Sequence, residues 1–162
     1  MSYTTHYESP LGGITLASDG KALTGLWFEG QRHFGSTLGG VASPVELPVF
    51  DDTRRWLDIY FSGRPPGFTP PLALHGTPFQ QRVWDSLCAI PYGETITYGE
   101  LARRLGVGSA QAVGGAVGHN PIALVVPCHR VVGSNGTLIG YAAGLDRKQA
   151  LLQLEQKNYF AS

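Results

Sequence analysis

A segment rich in proline and glycine, Gly63 to Gly76, separates two parts of the sequence that differ in hydrophobic pattern. Before it, short runs of β-favouring residues alternate with turn signals such as Ser9-Pro10-Leu11-Gly12. After it, apolar residues recur mainly at helical spacing. Segments of this composition commonly connect domains. We therefore predict an N-terminal domain over residues 1–75 and a C-terminal domain over residues 76–162.

The first part predicts a small antiparallel sheet with one helix. Three β-rich runs separated by turns cover Thr4 to Tyr7, Gly13 to Ala17 and Leu23 to Phe28. From about Leu47 to Phe61 the apolar side chains recur at mostly helical spacing, and the glycine and prolines that follow stop the pattern. We expect this helix to cover the sheet.

The second part predicts a mainly helical domain, so the whole chain is expected to be an α+β protein. Thr77-Pro78 is an N-cap followed by proline at the first helical position, and the helix that it starts ends near Ile90-Pro91. This helix places Cys88 on its apolar face. Asp146 is expected to cap a last amphipathic helix that carries Leu151.

Two short helices between these form a helix-turn-helix pattern. The first starts at Thr97-Tyr98-Gly99-Glu100, which has the pattern of a capping box, so the Thr97 side chain can accept from the Glu100 amide and the Glu100 side chain can reach back to the Thr97 amide. Gly106 ends this helix, and Ser109 caps a second helix, rich in glycine and alanine, that runs to about Val117. The sequence therefore predicts a winged-helix-like C-terminal domain.

Composition and charge exclude several classes of protein. The chain is 43% hydrophobic and 15% charged, as in soluble globular proteins, and no apolar stretch approaches the roughly 20 residues that span a bilayer. Zero net charge argues against a strongly basic nucleic-acid binder, but residues 76–162 carry seven basic and five acidic side chains, which permits DNA binding by that half. The N-terminus carries no secretion signal. We expect a cytoplasmic monomer with no membrane role.

Two cysteines, Cys88 and Cys128, are too few for a disulfide framework and lack the close spacing of a metal knuckle. We expect both to be free thiols. Cys128 stands beside His129 directly after the apolar run Ile122 to Val126, where an imidazole could take the proton of the thiol. The dipeptide alone also fits a buried structural cysteine, which is the commoner role of this residue.

The segment from Asn120 to Gly133, NPIALVVPCHRVVG in one-letter code, resembles the active-site signature of the O6-alkylguanine-DNA alkyltransferases. The resemblance extends over nearly all of residues 76–160, through stretches such as Phe79 to Trp84. Residues 1–75 are similar only in pattern to the ribonuclease-H-like accessory domain of that family. The resemblance implies DNA repair by direct, irreversible transfer of an alkyl group from O6 of guanine to a protein cysteine, once per molecule and without a cofactor.

The same resemblance assigns roles to five residues. It implies that the Cys128 thiolate attacks the alkyl carbon, with His129 acting as its base through an ordered water and Glu155 orienting the imidazole. Asn120 is expected to tie the turn before the active-site strand to the reactive segment. Tyr98 is expected to hydrogen-bond N3 of the flipped base, which helps the guanine anion to leave.

The partner implied is double-stranded DNA that carries O6-alkylguanine and is bound through the minor groove by the second helix of the helix-turn-helix. The damaged nucleotide is flipped out of the duplex into the active site. The resemblance also implies that Tyr141 and Ala142 belong to the loop that closes over the base, where a backbone N–H is directed at O6. Contacts with the DNA or the base are expected from Gln111, Ala112, Gly114, Gly115, Tyr141, Ala142, Ser134 and Arg130.

Two residues depart from the family pattern. An arginine enters the base stack in the family, but this chain has Gln111 there, which lacks the charge and the stacking guanidinium. We expect duplex binding and base flipping to be affected more than the chemistry. Ala143 stands where glycine is more usual, and is expected to narrow the opening of the pocket.

Two other functions are compatible with parts of the sequence. A non-enzymatic lesion sensor of the same family would keep the DNA-binding fold but lack the acceptor, and the presence of Cys128 argues against it. A cysteine hydrolase could use the same thiol and His129, but no separate oxyanion-hole signature accompanies them. No metal is expected, because the N-terminal part has no cysteine and its three histidines make a poor zinc site: His6, His33 and His75.

Overall fold

The N-terminal part of the computed structural model, which describes residues 2–36, 38 and 42–161, is a four-stranded sheet with one helix. Strands β1 to β3 form the predicted antiparallel arrangement, and a short fourth strand pairs in parallel with β1, so the order is β3-β2-β1-β4. The fourth strand is not predicted, because three residues are too few to show an alternation. The elements are β1 (Ser2–Ser9), β2 (Gly12–Ser18), β3 (Leu23–Phe28), β4 (Ala42–Pro44) and α1 (Pro48–Phe61).

The C-terminal part is mainly helical, as predicted. A two-stranded parallel sheet, β5 with β6, joins the start of the helix-turn-helix to the segment after Cys128. Short 3-10 turns cover Cys128–Arg130 and Ser134–Gly136. The elements are α2 (Pro78–Cys88), β5 (Ile96–Thr97), α3 (Tyr98–Leu105), α4 (Ala110–Gly118), β6 (Val131–Val132) and α5 (Leu145–Ala161).

The helix caps agree with the sequence signals in part. Thr77 forms a full capping box with Gln80, since each side chain bonds the backbone amide of the other residue. The box predicted at Thr97 is only half formed, because the Glu100 carboxylate pairs with arginines one turn further along α3 instead. Ser109 caps α4 as predicted. Because α5 begins at Leu145, Asp146 lies in its first turn rather than at the cap position.

Both parts contribute to one continuous hydrophobic core. The amide of Leu26 in β3 donates to the Pro121 carbonyl at 2.8 Å, and the amide of Ala123 donates back to the Leu26 carbonyl at 3.1 Å. The apolar run Ile122 to Val126 makes a single bridge to β3 and then turns, with Leu124 at a φ of 70°. Among the described residues, no helix has the length and apolar character needed to cross a membrane.

Candidate active site

A cavity of about 190 Å³ lies between the two parts of the chain. Cys128 is on its wall and is only 6% exposed, whereas Cys88 is exposed at the end of α2, outside the cavity and not on the buried face predicted for it. Cys128 is thus the thiol that a molecule in the cavity would meet. The lining residues are Arg32, His33, Tyr98, Gly114, Gly115, Val117, Gly118, His119, Cys128, Gly140, Tyr141 and Ala142.

The environment of the Cys128 thiol has opposing effects on its ionisation. Burial raises the pKa of Cys128, while the side chains of Asn120, Lys148 and Tyr141 act to lower it. The Tyr141 hydroxyl is buried, lies near the thiol, and has no hydrogen-bond partner of ordinary geometry among the described residues. Because burial dominates, the thiol keeps its proton at neutral pH and needs a base to become a nucleophile.

Asn120 holds the turn that leads to Cys128. Its amide group donates to the Val126 carbonyl at 2.8 Å, and its side-chain carbonyl accepts from the Ile122 amide at 3.0 Å. These two bonds close the turn around Leu124, which adopts a left-handed backbone conformation that is rare for leucine. The tie between this turn and the reactive segment is the geometry that the resemblance implies.

His129, the sequence neighbour of Cys128, forms a fully buried pair with Glu155 of α5. The His129 Nε2 and the Glu155 Oε2 are 2.5 Å apart. Although burial alone raises the pKa of Glu155, the His129 ring and the Arg130 guanidinium lower it well below the ordinary value. Burial lowers the pKa of His129, which favours the neutral ring. With Nε2–H donated to a carboxylate, Nδ1 carries the free lone pair, and it is buried with no partner in the described part of the chain.

The structure corrects the DNA contact predicted for Arg130. Its side chain is buried, where Nε donates to the Glu155 Oε1 at 2.8 Å and Nη1 donates to the Ile90 carbonyl at 2.7 Å. A guanidinium with these partners cannot reach a phosphate at the surface. Arg130 instead helps to keep Glu155 ionised.

Tyr60 in α1 also reaches the buried pair, although sequence reasoning assigns it only to the core face of that helix. Its hydroxyl donates to the Glu155 Oε2 at 2.6 Å and lies 3.3 Å from the His129 Nε2. The N-terminal part of the chain therefore contributes directly to this network. Tyr60 follows the helical spacing of its apolar neighbours, so no local signal distinguishes it from a packing residue.

Lys148 is a second residue missing from the sequence prediction. Its buried ammonium donates to the carbonyls of Val131, Ile139 and Gly140 at 2.5, 3.0 and 3.0 Å. Burial lowers the pKa of Lys148 to about 8, and the Cys128 thiol acts to raise it. Its position three residues before Leu151 on the buried face of α5 is the signal that could have revealed it.

Tyr98 stands at the start of α3 and lines the cavity. Its hydroxyl makes two long bonds, at 3.3 and 3.4 Å, to the Ile139 and Gly140 carbonyls. Burial, together with the nearby Cys128 thiol, raises the pKa of Tyr98 to about 12. The hydroxyl is therefore protonated at neutral pH and weakly held, which leaves it able to donate to a molecule in the cavity.

The other predicted contact residues divide into two groups. Gly114, Gly115, Tyr141 and Ala142 line the cavity. Gln111 and Ala112 are exposed in the first turn of α4, outside the lining. Ser134 is exposed in the second 3-10 turn and is also outside it, so contacts of these three residues with DNA stay predictions.

Comparison with known proteins identifies the family. Residues 2–74 match the ribonuclease-like domain of 6-O-methylguanine DNA methyltransferase, and residues 78–157 match its DNA binding domain. The chain belongs to the 6-O-methylguanine DNA methyltransferase family. The predicted resemblance, the α+β fold and the predicted enzyme class are therefore confirmed. Transfer of an alkyl group from O6 of guanine in DNA to a protein cysteine is the activity of this enzyme class.

Relatives cover almost the whole chain. The methylated-DNA–protein-cysteine methyltransferase of Mycobacterium leprae is 45% identical over 163 residues, which is 100% of this chain and 97% of that protein. The protein of the same name from Mycobacterium bovis is 48% identical over 155 residues, covering 93% and 92%. The crystal structure of Mycobacterium tuberculosis OGT in complex with DNA is 46% identical, with a TM-score of 0.85 and coverage of 97% of this chain and 93% of that one.

Proposed function

We propose that Cys128 is the acceptor cysteine and that the cavity receives a flipped O6-alkylguanine. The observation that carries this assignment is the position of the thiol, which lines a cavity between Tyr98 and Tyr141 while its sequence neighbour His129 is held by Glu155. The wall of the cavity combines apolar and polar groups, as is usual for sites that bind a small aromatic molecule.

In the proposed reaction the thiol proton passes through a water to the unpartnered Nδ1 of His129. The Cys128 thiolate then attacks the alkyl carbon from the side opposite O6. The carbon–sulfur bond forms as the carbon–oxygen bond breaks, and the electron pair leaves with the guanine. Tyr98 donates a proton to N3 of the departing base. The thioether is stable, so each molecule reacts once.

For DNA binding, we propose that α4 lies in the minor groove of the duplex. The helix presents small exposed residues, and Gly114 and Gly115 line the cavity that the base would enter. Extrusion of a base costs a few kcal/mol and leaves a gap in the stack. Gln111 is the exposed residue one turn before these glycines and is proposed to face that gap. The protein is proposed to act as a monomer in the cytoplasm.

Mass spectrometry of the intact protein and of its peptides tests the assignment. After incubation with a duplex that contains O6-methylguanine, one methyl group should be found on the peptide that carries Cys128. Cys128→Ser should take up none, because a hydroxyl is a poor nucleophile at neutral pH. Cys88→Ala is the matched control and should react like the native protein, since Cys88 is exposed outside the cavity. A methyl group on Cys88, or repeated turnover without an adduct, would contradict the proposal.

A further inference from the structure

The loop after β3 carries residues of the N-terminal part into the wall of the cavity. Gln31 is buried and fixes the start of this loop, because its side-chain carbonyl accepts from the Phe28 amide at 2.8 Å. The next amide, that of Arg32, donates to the Ala142 carbonyl at 2.9 Å. The loop is therefore tied both to its own sheet and to the loop that is proposed to close over the base.

Three basic side chains meet at the exposed side of this cavity. Arg32 and His33 come from the loop after β3, and His119 follows the last turn of α4. The rings of His33 and His119 are stacked with centroids 3.9 Å apart and an interplanar angle of 27°. His119 is held in turn by a 2.8 Å bond between its Nδ1 and the Gly115 carbonyl.

The backbone of His33 supports a functional role for this arrangement. Its φ is 59°, in the left-handed region that residues other than glycine rarely adopt. Such strain persists where surrounding contacts hold the residue in place, and it clusters at functional sites. Here the contacts are the stack on His119 and the bond from the adjacent Arg32 amide to Ala142.

The charge at this position is not neutralised from within the protein. The Arg32 side chain is exposed and forms no ion pair with any carboxylate that the structure describes. Helix α4, from Ala110 to Gly118, carries no charged side chain at all. The helix proposed to contact the DNA thus lacks a cation, while the loop of the N-terminal part supplies one beside the same cavity.

We propose that Arg32, together with the stacked His33 and His119, binds a DNA backbone phosphate next to the flipped nucleotide. The inference rests on the proposed function, because a base whose O6 substituent meets Cys128 leaves its sugar and phosphates at the opening of the cavity. A guanidinium is suited to bidentate contact with a phosphate, and a ring N–H of His33 adds a donor, while His119, whose Nδ1–H is donated to Gly115, supports the His33 ring through the stack. The N-terminal part of the chain would then be a component of the DNA interface.

The test compares Arg32→Gln with the native protein on two substrates: a duplex with O6-methylguanine, and a free O6-alkylguanine base that has no phosphate. For Arg32→Gln, affinity for the duplex should fall about tenfold, as for a lost charge-assisted hydrogen bond. The slope of log affinity against log salt should become shallower by about one. The loss of transfer rate from subsaturating duplex should exceed any loss with the free base by about tenfold.

Three further variants make the result specific. Arg32→Lys keeps the charge and should keep the native salt slope. His33→Gly retains the left-handed backbone without strain but removes the ring, so it should also weaken duplex binding. Arg64→Gln removes an exposed arginine that does not line the cavity and should behave like the native protein.

The outcomes separate this inference from the function on which it rests. Native duplex affinity and salt slope in Arg32→Gln, with methyl transfer to Cys128 intact, would overturn the phosphate contact alone. Equal loss on the duplex and on the free base would also overturn it, since Arg32 would then shape the cavity rather than bind phosphate. Failure of the native protein to transfer from either substrate would overturn the proposed function itself.

Discussion

The reactivity of Cys128 depends on where its proton goes. Burial raises the pKa of the thiol, so little thiolate exists at neutral pH without help. The neutral His129 ring has its Nδ1 free, because Nε2 is bonded to Glu155. The side chains of Asn120, Lys148 and Tyr141 favour the thiolate but do not outweigh burial. A base is therefore needed more here than at an exposed cysteine.

We expect His129→Ala to slow transfer by about 10² to 10⁴, the usual range for acid–base assistance. The defect should shrink as the pH rises, because the thiol has a raised pKa and ionises unaided only at alkaline pH. Single-turnover rates with the free alkylated base, measured from neutral to alkaline pH, check this without the contribution of DNA binding. A flat profile for the variant would remove histidine from the role of base.

Lys148 links the thiol to the loop that is proposed to close over the base. Lys148→Met keeps the length of the side chain but removes the ammonium that donates to the buried Val131 carbonyl and to the Ile139 and Gly140 carbonyls, which Tyr98 also bonds. Loss of the buried bond to Val131 should lower the free energy of unfolding in urea by about 1–3 kcal/mol. The rate–pH profile should move to higher pH, because the ammonium no longer lowers the pKa of Cys128. An unchanged profile would limit Lys148 to a structural role.

At the scale of helices and strands, the sequence predicts those features that depend on contacts between residues close in the chain, such as helix starts. Three helix starts carry a local signal: Thr77 caps α2, Ser109 caps α4, and a proline begins α1. These signals work because the cap and the first turn of a helix are close in sequence. The run Ile122 to Val126 is apolar enough for a strand but forms a turn, since Leu26 offers it only one bridge. Its conformation depends on β3, nearly a hundred residues earlier, which a local pattern cannot show.

In the active site, too, the sequence predicts residues within a local motif better than contacts between distant segments. The resemblance predicts that Cys128, His129 and Glu155 act together. The first two lie in the contiguous motif Asn120 to Gly133, and Glu155 matches a position on the last helix. Arg130 looks like a surface cation in the sequence, and only the placement of Glu155 explains why its guanidinium is buried. Lys148 and Tyr60 are absent from the sequence prediction for the same reason, since their partners belong to distant segments.

In helix α4, Gln111 stands where the family has an arginine that enters the base stack, and this difference allows a test of the proposal that α4 lies in the minor groove. Gln111→Arg should tighten binding to duplex DNA and speed repair of a lesion within it, because a guanidinium adds stacking and charge. Binding should also become more salt-dependent, by up to about one phosphate contact. The reaction with a free alkylated guanine, which requires no flipping, should gain much less. Equal duplex affinity and equal repair rate would show that another residue fills the vacated stack.

For the whole molecule, the N-terminal part is built into the site rather than attached beside it. Arg147 in α5 donates to the carbonyls of Leu11 and Glu29 at 3.0 and 3.2 Å and to that of Ala143 at 3.3 Å. Arg147 therefore joins α5 to the N-terminal part by hydrogen bonds. Tyr60 extends the same coupling to Glu155.

The chain offers a matched pair of tyrosines to measure this coupling. Tyr60 and Tyr7 each donate to a carboxylate at 2.6 Å, but Tyr60 bonds the buried Glu155 whereas Tyr7 bonds the exposed Asp58. A hydrogen bond to a buried charge is worth about 1.5–3 kcal/mol, and an exposed one is weakened by solvent. Tyr60→Phe should therefore lower the free energy of unfolding more than Tyr7→Phe does.

The two variants should also differ in transfer. Without the Tyr60 hydroxyl, the Glu155 Oε2 keeps His129 and Arg130 but loses a donor that fixes its position, so the imidazole is held less well. Single-turnover transfer from the free base should slow in Tyr60→Phe and stay native in Tyr7→Phe, whose hydroxyl bonds Asp58 and no residue of the network. If both variants lose equal stability and both react at the native rate, then Tyr60 only packs α1 against the C-terminal part, and the N-terminal part acts on the chemistry through the cavity wall alone.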